Sequence, residues 1–304
     1  MRNILIVLVG PTGVGKTDIS IGLAQRFGCE IISADSRQFF REMSIGTAVP
    51  SVIQLDTIKH HFIRFLSVED YYSSSQFERD VLELLPRLFA SNGFALMAGG
   101  SGMYIDSVCD GIDDIPDTDP AVREKYIAMY SESGIAALRS ALRLLDPDHY
   151  SRVDLGNYKR IIRALEICES TGKPYSSFLN KKKRKRNFGI IKIGLKRPRE
   201  ELYSRINARV DEMVCRGLEE EARSLIQYRH LNALNSVGYR EYFEYFDCIT
   251  TKDQAIDLIK RNSRRYAKRQ MTWWGKDDSI SWFHPDQAAE IISHIENISS
   301  GMRK

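Results

Sequence analysis

The segment that most constrains the fold is an apolar run joined directly to a glycine-rich turn near the N-terminus. Ile4–Val9 (ILIVLV) is uninterrupted and rich in β-branched residues, which is typical of a strand buried on both faces of a sheet. It leads into Gly10–Thr17 (GPTGVGKT), which matches G-x-x-x-x-G-K-[ST], and then into a helical pattern over 17–27. This order predicts an anion-binding loop between a central strand and a helix.

The residue types in this loop fit a diphosphate or a triphosphate. Glycines let backbone N–H groups turn towards phosphate oxygens, and the following helix presents its positive dipole end. Lys16 supplies a positive charge, and the Thr17 hydroxyl is placed to bind Mg²⁺. The predicted diphosphate-binding residues are Gly10, Pro11, Thr12, Gly13, Val14, Gly15, Lys16 and Thr17.

Strand and helix patterns alternate on both sides of a helical stretch. Apolar strand patterns recur at 30–34, 94–98 and 189–195, with helical patterns at 17–27 and 76–90 between the first of them. Such alternation predicts a parallel sheet covered by helices, the α/β class.

The texture changes after Gly111, where the chain becomes acidic and rich in turn residues. Asp119 followed by Pro120 predicts the N-cap and first residue of a helix, and helical patterns continue to about residue 180. We therefore predict three segments, which are a first part of the core at 1–118, a helical insertion at 119–188 and a completion of the core at 189–304.

Composition places the chain among globular proteins, with 43% hydrophobic and 28% charged residues in 304. Its longest apolar run, Ile4–Val9, is far shorter than the roughly 18 residues of a membrane span, and no signal cleavage site follows it. The five cysteines form no C-x-x-C pair, which disfavours a disulfide framework and fits a reducing compartment. We expect a cytoplasmic protein that does not associate with membranes and acts as a monomer.

Basic residues are concentrated in two parts of the chain. Residues 157–199 hold 14 Lys and Arg against 2 Asp and Glu, and residues 260–269 hold six basic residues and no acidic one. The run at 181–186 alone is equally well explained as a solvated loop. Two separate clusters, however, indicate a polyanion larger than a nucleotide.

Polar residues follow two of the predicted strands. Asp35 comes after the strand at 30–34, while the strand at 94–98 ends in Gly99-Gly100-Ser101-Gly102 without the metal-binding Asp of a typical triphosphatase. Because strand carboxyl ends face the ligand crevice of an open α/β sheet, Asp35, Ser101 and the glycine-rich loop should meet in one cleft. A helix cap or a turn is the structural alternative for Asp35.

Segments along nearly the whole chain resemble, in order, the bacterial tRNA dimethylallyltransferases (tRNA isopentenyltransferases). The most specific combination is the loop at 10–17 with DSRQ at 35–38 and YAKRQMTWW at 266–274. The other matching segments are ADSRQFFREMSIGTAVP (34–50), HHFIRF (60–65), YYSSSQFERD (71–80), GGSGMYIDSVCDGI (99–112), NYKRIIRALEI (157–167), TGKP (171–174) and NSVGYRE (235–241). The resemblance implies a phosphate-loop NTPase-like parallel sheet core with a helical insertion domain.

The resemblance also implies a reaction, the transfer of a dimethylallyl group from dimethylallyl diphosphate to N6 of adenosine 37 of tRNA, next to the anticodon. In the family pattern Asp35 is the general base, and Arg209 lies near the diphosphate. Ser101 stands where the family usually has Thr and keeps the hydroxyl. Lys16, with Mg²⁺ on Thr17, would stabilise the leaving diphosphate. The implied catalytic residues are Asp35, Ser101, Lys16 and Arg209.

Contacts with the anticodon stem–loop follow from the same resemblance. The target adenosine must leave its stack to react, and single-stranded bases are recognised by stacking and by hydrogen bonds to their edges. The implied tRNA-binding residues are Asp35, Ser36, Arg37, Gln38, Ser101, Arg123, Lys159, Arg160, Ile161, Ile162 and Arg163.

Three other functions stay open on the residues alone. A small-molecule kinase would use the loop for ATP, and a prenyltransferase for free adenine nucleotides would share the loop and Asp35; neither needs the basic clusters. A non-catalytic nucleic-acid-binding protein would leave the loop unexplained.

Several residues also have structural interpretations. The basic residues of 260–273 either contact phosphates or pair with Asp257, Glu241 and Glu244, and Arg209 could equally form a salt bridge. Trp273 and Trp274 are expected to pack rather than to stack on bases. His60-His61 has no partner at metal-ligand spacing.

Overall fold

The computed structural model describes residues 3–113, 115–116, 118–179 and 183–303. The chain forms two compact units, a larger one made of Met1–Asp110 and Lys185–Lys304 and a smaller one made of Gly111–Arg184. Lys181 and Lys182, which belong to the predicted basic run, lie outside the described residues.

A parallel sheet forms the centre of the larger unit. Its strands are β1 (Ile4–Val9), β2 (Ile31–Ser33), β3 (His60–His61), β4 (Phe94–Gly99), β5 (Gly189–Leu195) and β6 (Ile280–Phe283). They are ordered β3-β2-β4-β1-β5-β6, and each neighbouring pair is parallel. Ile4 pairs in register with Phe94 on one side and Gly189 on the other. The predicted α/β class is confirmed.

Helices account for most of the remaining described chain. They are α1 (Lys16–Phe27), α2 (Val52–Thr57), α3 (Ser74–Asn92), α4 (Gly102–Asp110), α5 (Pro120–Leu145), α6 (Pro147–Tyr150), α7 (Tyr158–Thr171), α8 (Arg199–Cys215), α9 (Leu218–Ser224), α10 (Tyr239–Phe246), α11 (Lys252–Trp274) and α12 (Ala288–Arg303). Within the described parts of the chain, none of them has both the length and the apolar character required to cross a membrane.

The central strand β1 packs into two hydrophobic cores, one on each face of the sheet. Ile4, Ile6 and Leu8 contact residues of α1, α8 and α12, whereas the alternate residues of β1 contact α3 and α4. Because successive side chains of a strand point to opposite faces, a strand covered on both sides must be apolar throughout. Each such side chain contributes about 1.5–3 kcal/mol through burial.

A further core lies among helices α8 to α11. Tyr239 and Tyr242 of α10 are fully buried there, with Val210 from α8 and Ile259 from α11. This packing fixes α8 and α11, which both supply residues to the cavities described below.

The smaller unit is helical in its described residues. The Asp119 side chain accepts a hydrogen bond from the Ala121 backbone N–H at 2.9 Å, so the predicted N-cap of α5 is confirmed. Gly134, with φ of 71°, interrupts α5 and divides it into two segments that pack with α7. A Cβ at Gly111 would lie 2.7 Å from the Arg184 side chain, so the two ends of this unit lie close together.

Candidate active site

The glycine-rich loop connects β1 to α1, as the sequence predicts. Gly10, Gly13 and Gly15 have φ of 153°, 79° and 107°, a region that residues with side chains rarely adopt. A Cβ at Gly10 would lie 2.9 Å from the Leu195 carbonyl oxygen, and a Cβ at Gly13 would lie 2.9 Å from Cγ1 of Ile206. Both the backbone conformation and the lack of space therefore require glycine in this loop.

Lys16 folds back over the loop. Its Nζ donates hydrogen bonds to the carbonyl oxygens of Gly10, at 2.8 Å, and Pro11, at 3.0 Å. Burial lowers the pKa of Lys16 to about 8, because the opposing attraction of Asp35 is weaker than the cost of burial and Arg209 lowers the pKa further. The ammonium group is thus held at the loop, but nearby negative charge only partly offsets the cost of burying it.

Two arginines from outside the loop hold its carbonyl groups. Arg205 Nε donates to the Gly13 carbonyl at 3.0 Å, and Arg197 Nε donates to the Val14 carbonyl at 2.9 Å. These contacts engage the carbonyls of Gly13 and Val14. The N–H groups of Thr12 and Val14 already donate to Gln270 and to the Pro11 carbonyl, so an anion would be bound by other N–H groups of the loop.

Gln270 of α11 joins the loop to the end of β4. Its side-chain oxygen accepts a hydrogen bond from the Thr12 backbone N–H at 2.8 Å, and its Nε2 donates to the Gly100 carbonyl at 2.9 Å. Sequence reasoning did not select this residue. The available signal was one polar side chain on the otherwise apolar buried stripe of α11, formed by Ala255, Ile259, Ala267 and Trp274.

Asp35 follows β2, where it both makes a turn contact and faces the cavities of the cleft. One carboxylate oxygen accepts a hydrogen bond from the Arg37 backbone N–H at 3.1 Å, which is the turn contact that the structural alternative predicts. Asp35 also lines both cavities described below. Burial and the Asp35 charge together raise the pKa of Tyr266 to about 12, so that phenol stays protonated near neutral pH.

Ser101 lies next to the Asp35 turn. Its Oγ accepts a hydrogen bond from the Ser36 backbone N–H at 2.9 Å and donates one to Ser36 Oγ at 3.1 Å. The Ser101 backbone N–H donates to the Ala34 carbonyl at 3.1 Å. The ends of β2 and β4 therefore meet, as the topology argument predicts.

Gln38 and Arg209 complete the ring of predicted residues around this cleft. Gln38 Nε2 donates to the carbonyls of Thr47 and Ala48, each at 3.1 Å, so its amide is engaged within the protein. Arg209 lies 3.4 Å from the Thr12 hydroxyl through Nη1. Burial lowers the pKa of Arg209, and the nearby Asp35 charge opposes that shift. Among the residues that the structure describes, no carboxylate lies within 4.0 Å of the Arg209 guanidinium, so the salt bridge considered above is not seen there.

Two adjoining cavities open around these residues. The larger, of about 530 Å³, includes Lys16 and Thr17, and the smaller, of about 310 Å³, includes Ser36 and Arg37. The residues that line both are Thr12, Asp35, Thr47, Ala48, Arg209, Met213 and Tyr266. The apolar residues of the smaller cavity are Ile206, Val210, Met213, Val237 and Ile259. An anion site thus continues into a space with both an apolar wall and polar groups.

Thr17 offers a single hydroxyl for a metal ion. It lies in the first turn of α1 and lines the larger cavity with Lys16. The described residues contain no cluster of three His, Cys, Asp or Glu arranged to hold a metal. One protein oxygen beside an anion site fits Mg²⁺, which retains waters and commonly binds through substrate phosphates.

The residues implied in the insertion differ widely in exposure. Lys159 and Arg160 are exposed. Arg123 and Arg163 instead hold the buried carboxylate of Glu166, at 3.0 Å and 3.2 Å. The guanidinium groups of these two arginines therefore stabilise the small unit, although both remain partly accessible.

The side chains of Ile161 and Ile162 are buried, which contradicts the prediction that they contact tRNA. They are 0% and 2% exposed, and they pack in the core of the smaller unit with Leu138 and Leu142. A helix can expose only part of its circumference, and these two side chains lie on the core face.

The basic helix α11 has other partners than those expected. Lys260 pairs with Asp211 at 2.6 Å and Arg264 donates to Asn207 at 2.6 Å, so these two cations have partners other than Asp257, Glu241 and Glu244, the acids named in the structural alternative. Both cations line an open groove of about 760 Å³ on α8 and α11, which includes none of the residues of the phosphate loop. The exposed basic residues of α11 are Lys252, Arg261, Arg265, Lys268 and Arg269, of which Lys252 pairs with Glu219.

The two tryptophans of α11 and the pair His60-His61 differ in their surroundings. Trp274 is buried in the core, as expected, but Trp273 is 47% exposed and donates from Nε1 to Asp106 at 2.8 Å. His60 contacts the Ile58 carbonyl through Nδ1 at 2.7 Å. His61 contacts the carboxylate of Glu30, a partner that the sequence spacing did not reveal.

Comparisons with known proteins agree with this geometry. The IPP transferase family model matches residues 38–277. The chain is 52% identical over 293 residues to tRNA dimethylallyltransferase 2 of Parabacteroides distasonis, covering 96% of this chain and 98% of that protein. It is 56% identical over 282 residues to tRNA dimethylallyltransferase 2 of Porphyromonas gingivalis, covering 93% and 94%.

Solved structures show the same fold. The full-length tRNA isopentenylpyrophosphate transferase of Bacillus halodurans superimposes with a TM-score of 0.70 at 35% identity, covering 97% of this chain and 96% of that one. A eukaryotic dimethylallyltransferase acting on tRNA gives a TM-score of 0.80 at 25% identity, covering 98% and 80%. With a phosphate-loop parallel sheet and a family model that spans most of its length, the chain belongs to the IPP transferase family.

Proposed function

We propose that this chain transfers a dimethylallyl group from dimethylallyl diphosphate to N6 of adenosine 37 in tRNA, giving N6-dimethylallyladenosine and diphosphate. The observation that carries the proposal is the position of Asp35, which lines both the phosphate-loop cavity and the adjoining cavity. The relatives named tRNA dimethylallyltransferase support the substrate pair.

The diphosphate of the donor occupies the larger cavity in this proposal. Backbone N–H groups of the loop, Lys16 and Arg209 surround the place where negative charge grows as the C1–O bond of the donor breaks. Groups already fixed by the fold need little reorganisation during the reaction. Arg205 and Arg197 support them by holding the loop carbonyls.

Thr17 is the protein ligand that we propose for Mg²⁺. When bound, the ion supplies positive charge to diphosphate oxygens. The chain's own contribution there is the hydroxyl at the start of α1, next to Lys16.

The acceptor amine lies on the Asp35 side of the cleft in this proposal. The N6 lone pair forms a bond to C1 of the donor while the C1–O bond breaks and releases diphosphate. The proton lost from N6 passes to the Asp35 carboxylate, which acts as general base. Ser101 holds the Asp35 turn through its hydrogen bonds to Ser36, and in this proposal those bonds orient the Asp35 carboxylate.

We further propose that exposed cations bind the RNA. In the insertion, Lys159, Arg160 and Arg123 are exposed members of the predicted set, although Arg123 also pairs with Glu166; at the cleft, Ser36 and Arg37 line the smaller cavity. A monomer suffices for the reaction because one chain supplies every residue of both cavities. We also propose that the reaction takes place in the cytoplasm, because tRNA is its substrate.

The proposal is tested by incubating the protein with dimethylallyl diphosphate, Mg²⁺ and unmodified tRNA, followed by digestion and nucleoside mass analysis. We expect adenosine to gain one C5H8 unit, and we expect no gain with tRNA that carries guanosine at position 37. Modification of free AMP in preference to tRNA, or phosphoryl transfer from ATP in place of prenyl transfer, would contradict the proposal.

A further inference from the structure

An irregular segment, here called the wall loop (residues 43–49), lines both cavities. Gly46, Thr47 and Ala48 face the smaller cavity, and Val49 joins the last two in the larger one. The segment contains no helix or strand. Ala48 also has φ of 50°, a left-handed conformation that costs a non-glycine residue about 1–2 kcal/mol. Hydrogen bonds within the segment, from the Ala48 N–H to the Ile45 carbonyl at 2.9 Å and from the Val49 N–H to the Ser44 carbonyl at 3.1 Å, hold part of it, and contacts from outside add to them.

Glu221 of α9 provides the main contact to the wall loop. One oxygen of its carboxylate accepts hydrogen bonds from the backbone N–H groups of Ser44, at 2.9 Å, and Ile45, at 2.8 Å. The other oxygen accepts from the Gly46 N–H at 2.9 Å. Three successive backbone N–H groups thus converge on a single carboxylate, the arrangement by which main-chain turns bind anions.

Tyr239 completes this arrangement from α10. Its hydroxyl donates to Glu221 at 2.6 Å, and its ring is fully buried. Burial and the charge of Glu221 raise the pKa of Tyr239, so the hydroxyl keeps the proton that it donates. A Cβ at Gly46 would lie 2.7 Å from the ring, which leaves no space between the ring and the wall loop.

The wall loop in turn orients two residues of the cleft. Gln38 donates to the carbonyls of Thr47 and Ala48, and Arg209 Nη2 lies 3.5 Å from the Ala48 carbonyl. The Asp35 charge acts on Arg209 and favours its charged form. A continuous series of contacts therefore leads from Glu221 through the wall loop to Arg209, whose charged form Asp35 favours.

We infer that Glu221, supported by Tyr239, is a positioning residue that sets Arg209 and Gln38 for catalysis through the wall loop. The inference rests on the proposed function for its kinetic consequence. Its effect on the anion site is independent of that function, because Arg209 lines the phosphate-loop cavity whatever the reaction.

The decisive variant is Glu221→Gln. All four partners of Glu221 are hydrogen-bond donors, but a glutamine side chain has only one acceptor oxygen, and its NH2 group is itself a donor. In the variant the NH2 group would face the Gly46 N–H and the Tyr239 hydroxyl, or the N–H groups of Ser44 and Ile45, so the wall loop must shift. We expect the single-turnover rate per folded protein to fall about 10- to 100-fold at saturating substrates, the scale of a small misplacement of catalytic groups. Inorganic diphosphate, measured by calorimetry, should bind more weakly by about tenfold or more, roughly the loss of one charge-assisted contact.

Matched variants separate positioning from general stability. Glu220→Gln removes the same charge from the exposed neighbouring position of α9 and should leave the rate and the affinity for diphosphate unchanged. Tyr239→Phe keeps the ring but removes one of four hydrogen bonds to Glu221, so it should reduce the rate in the same direction by a smaller factor. This milder variant tests the inference if Glu221→Gln does not fold.

The outcomes distinguish this inference from the proposed function. Normal rates and normal diphosphate affinity in Glu221→Gln or Tyr239→Phe, even with a lowered melting temperature, would overturn the positioning role. A wild-type protein that transfers no prenyl group would overturn the proposed function alone. In that case the diphosphate affinities of the same variants still decide whether Glu221 positions the anion site.

Discussion

Two buried cations of the cleft, Lys16 and Arg209, lie close to the charge of Asp35. Asp35 favours the charged forms of both cations, while Arg209 disfavours that of Lys16. One carboxylate does not compensate two buried cations. The site is therefore electrostatically prepared for an added anion such as a diphosphate.

The first prediction concerns the pH dependence of diphosphate binding. Lys16 has a pKa of about 8 in the free protein, so it is charged below that pH and loses its proton above it. An anion stabilises the charged form, so above about pH 8 binding must be accompanied by proton uptake, and affinity should fall by up to about tenfold per pH unit. Calorimetric titration with diphosphate between about pH 6.5 and 9.5 measures this slope.

Lys16→Arg provides the control, since arginine keeps its charge across this range. The variant should give a flatter profile even if its affinity is lower throughout. A wild-type affinity that does not change above pH 8 would show that Lys16 does not titrate in this way.

At the same scale, the sequence predicted some site residues and could not predict others. The meeting of Asp35 and Ser101 followed from the rule that parallel strands end at one edge, and the contact through Ser36 agrees with it. The resemblance implies tRNA contact for a whole segment that contains Ile161 and Ile162. The spacing of these residues with Leu165, in contrast, is typical of the buried face of a helix. Resemblance identifies a segment, whereas periodicity identifies the exposed face.

At the scale of elements, α11 has two unlike faces. One carries exposed cations, and the other places Gln270 against both the phosphate loop and the end of β4. A sequence pattern rich in Lys and Arg indicated only the first face. The hydrogen bonds of Gln270 depend on the sheet that it packs against, which no local pattern specifies.

The second prediction tests this link with Gln270→Leu. The change leaves the Thr12 N–H and the Gly100 carbonyl without their partner, at a cost of about 1–3 kcal/mol in the free energy of unfolding for each buried group. It should also weaken diphosphate binding, because the loop loses its contact with α11. Urea denaturation and calorimetry measure the two effects.

Thr272→Ala is the matched control, because that exposed hydroxyl only contacts the Lys268 carbonyl in the same helix. If Gln270→Leu loses stability but binds diphosphate normally, α11 supports the fold without shaping the anion site.

The third prediction belongs to α7 in the insertion. Replacing Lys159 and Arg160 together with Ala should weaken tRNA binding and reduce the slope of log K against log salt by about one for each lost phosphate contact. Arg143→Ala, an exposed cation of α5, is the control that removes charge from another surface of the same unit. Filter binding over a range of salt concentrations gives the slopes, and equal slopes for all proteins would place the RNA elsewhere.

The elements that could be predicted were those with a long, unbroken pattern. β1, β4 and β5 are six or seven residues long and largely apolar. β3 has two residues and β6 has four, so neither contains enough alternation to be distinguished from a loop. Their strand conformation depends on pairing with β2 and β5, a tertiary contact that the sequence pattern alone does not show.

At the scale of the whole molecule, strand order decides where chemistry occurs. β4 lies between β1 and β2, so the loops that follow these three strands leave the sheet side by side. They carry the phosphate loop, the Asp35 turn and Ser101. The two cavities that share Asp35 lie beside these loops, and the fold matches the Bacillus halodurans structure over 97% of this chain and 96% of that one.

The most direct test of the account is the single-turnover rate of the Asp35→Asn variant with tRNA and dimethylallyl diphosphate, measured by rapid quench. Asparagine retains the oxygen that accepts from the Arg37 N–H but cannot take up the amine proton. We predict a rate about 10²–10⁴-fold below wild type, the scale of a lost general base, with tRNA affinity nearly unchanged. A rate near that of the wild type would contradict the placement of the acceptor amine beside Asp35.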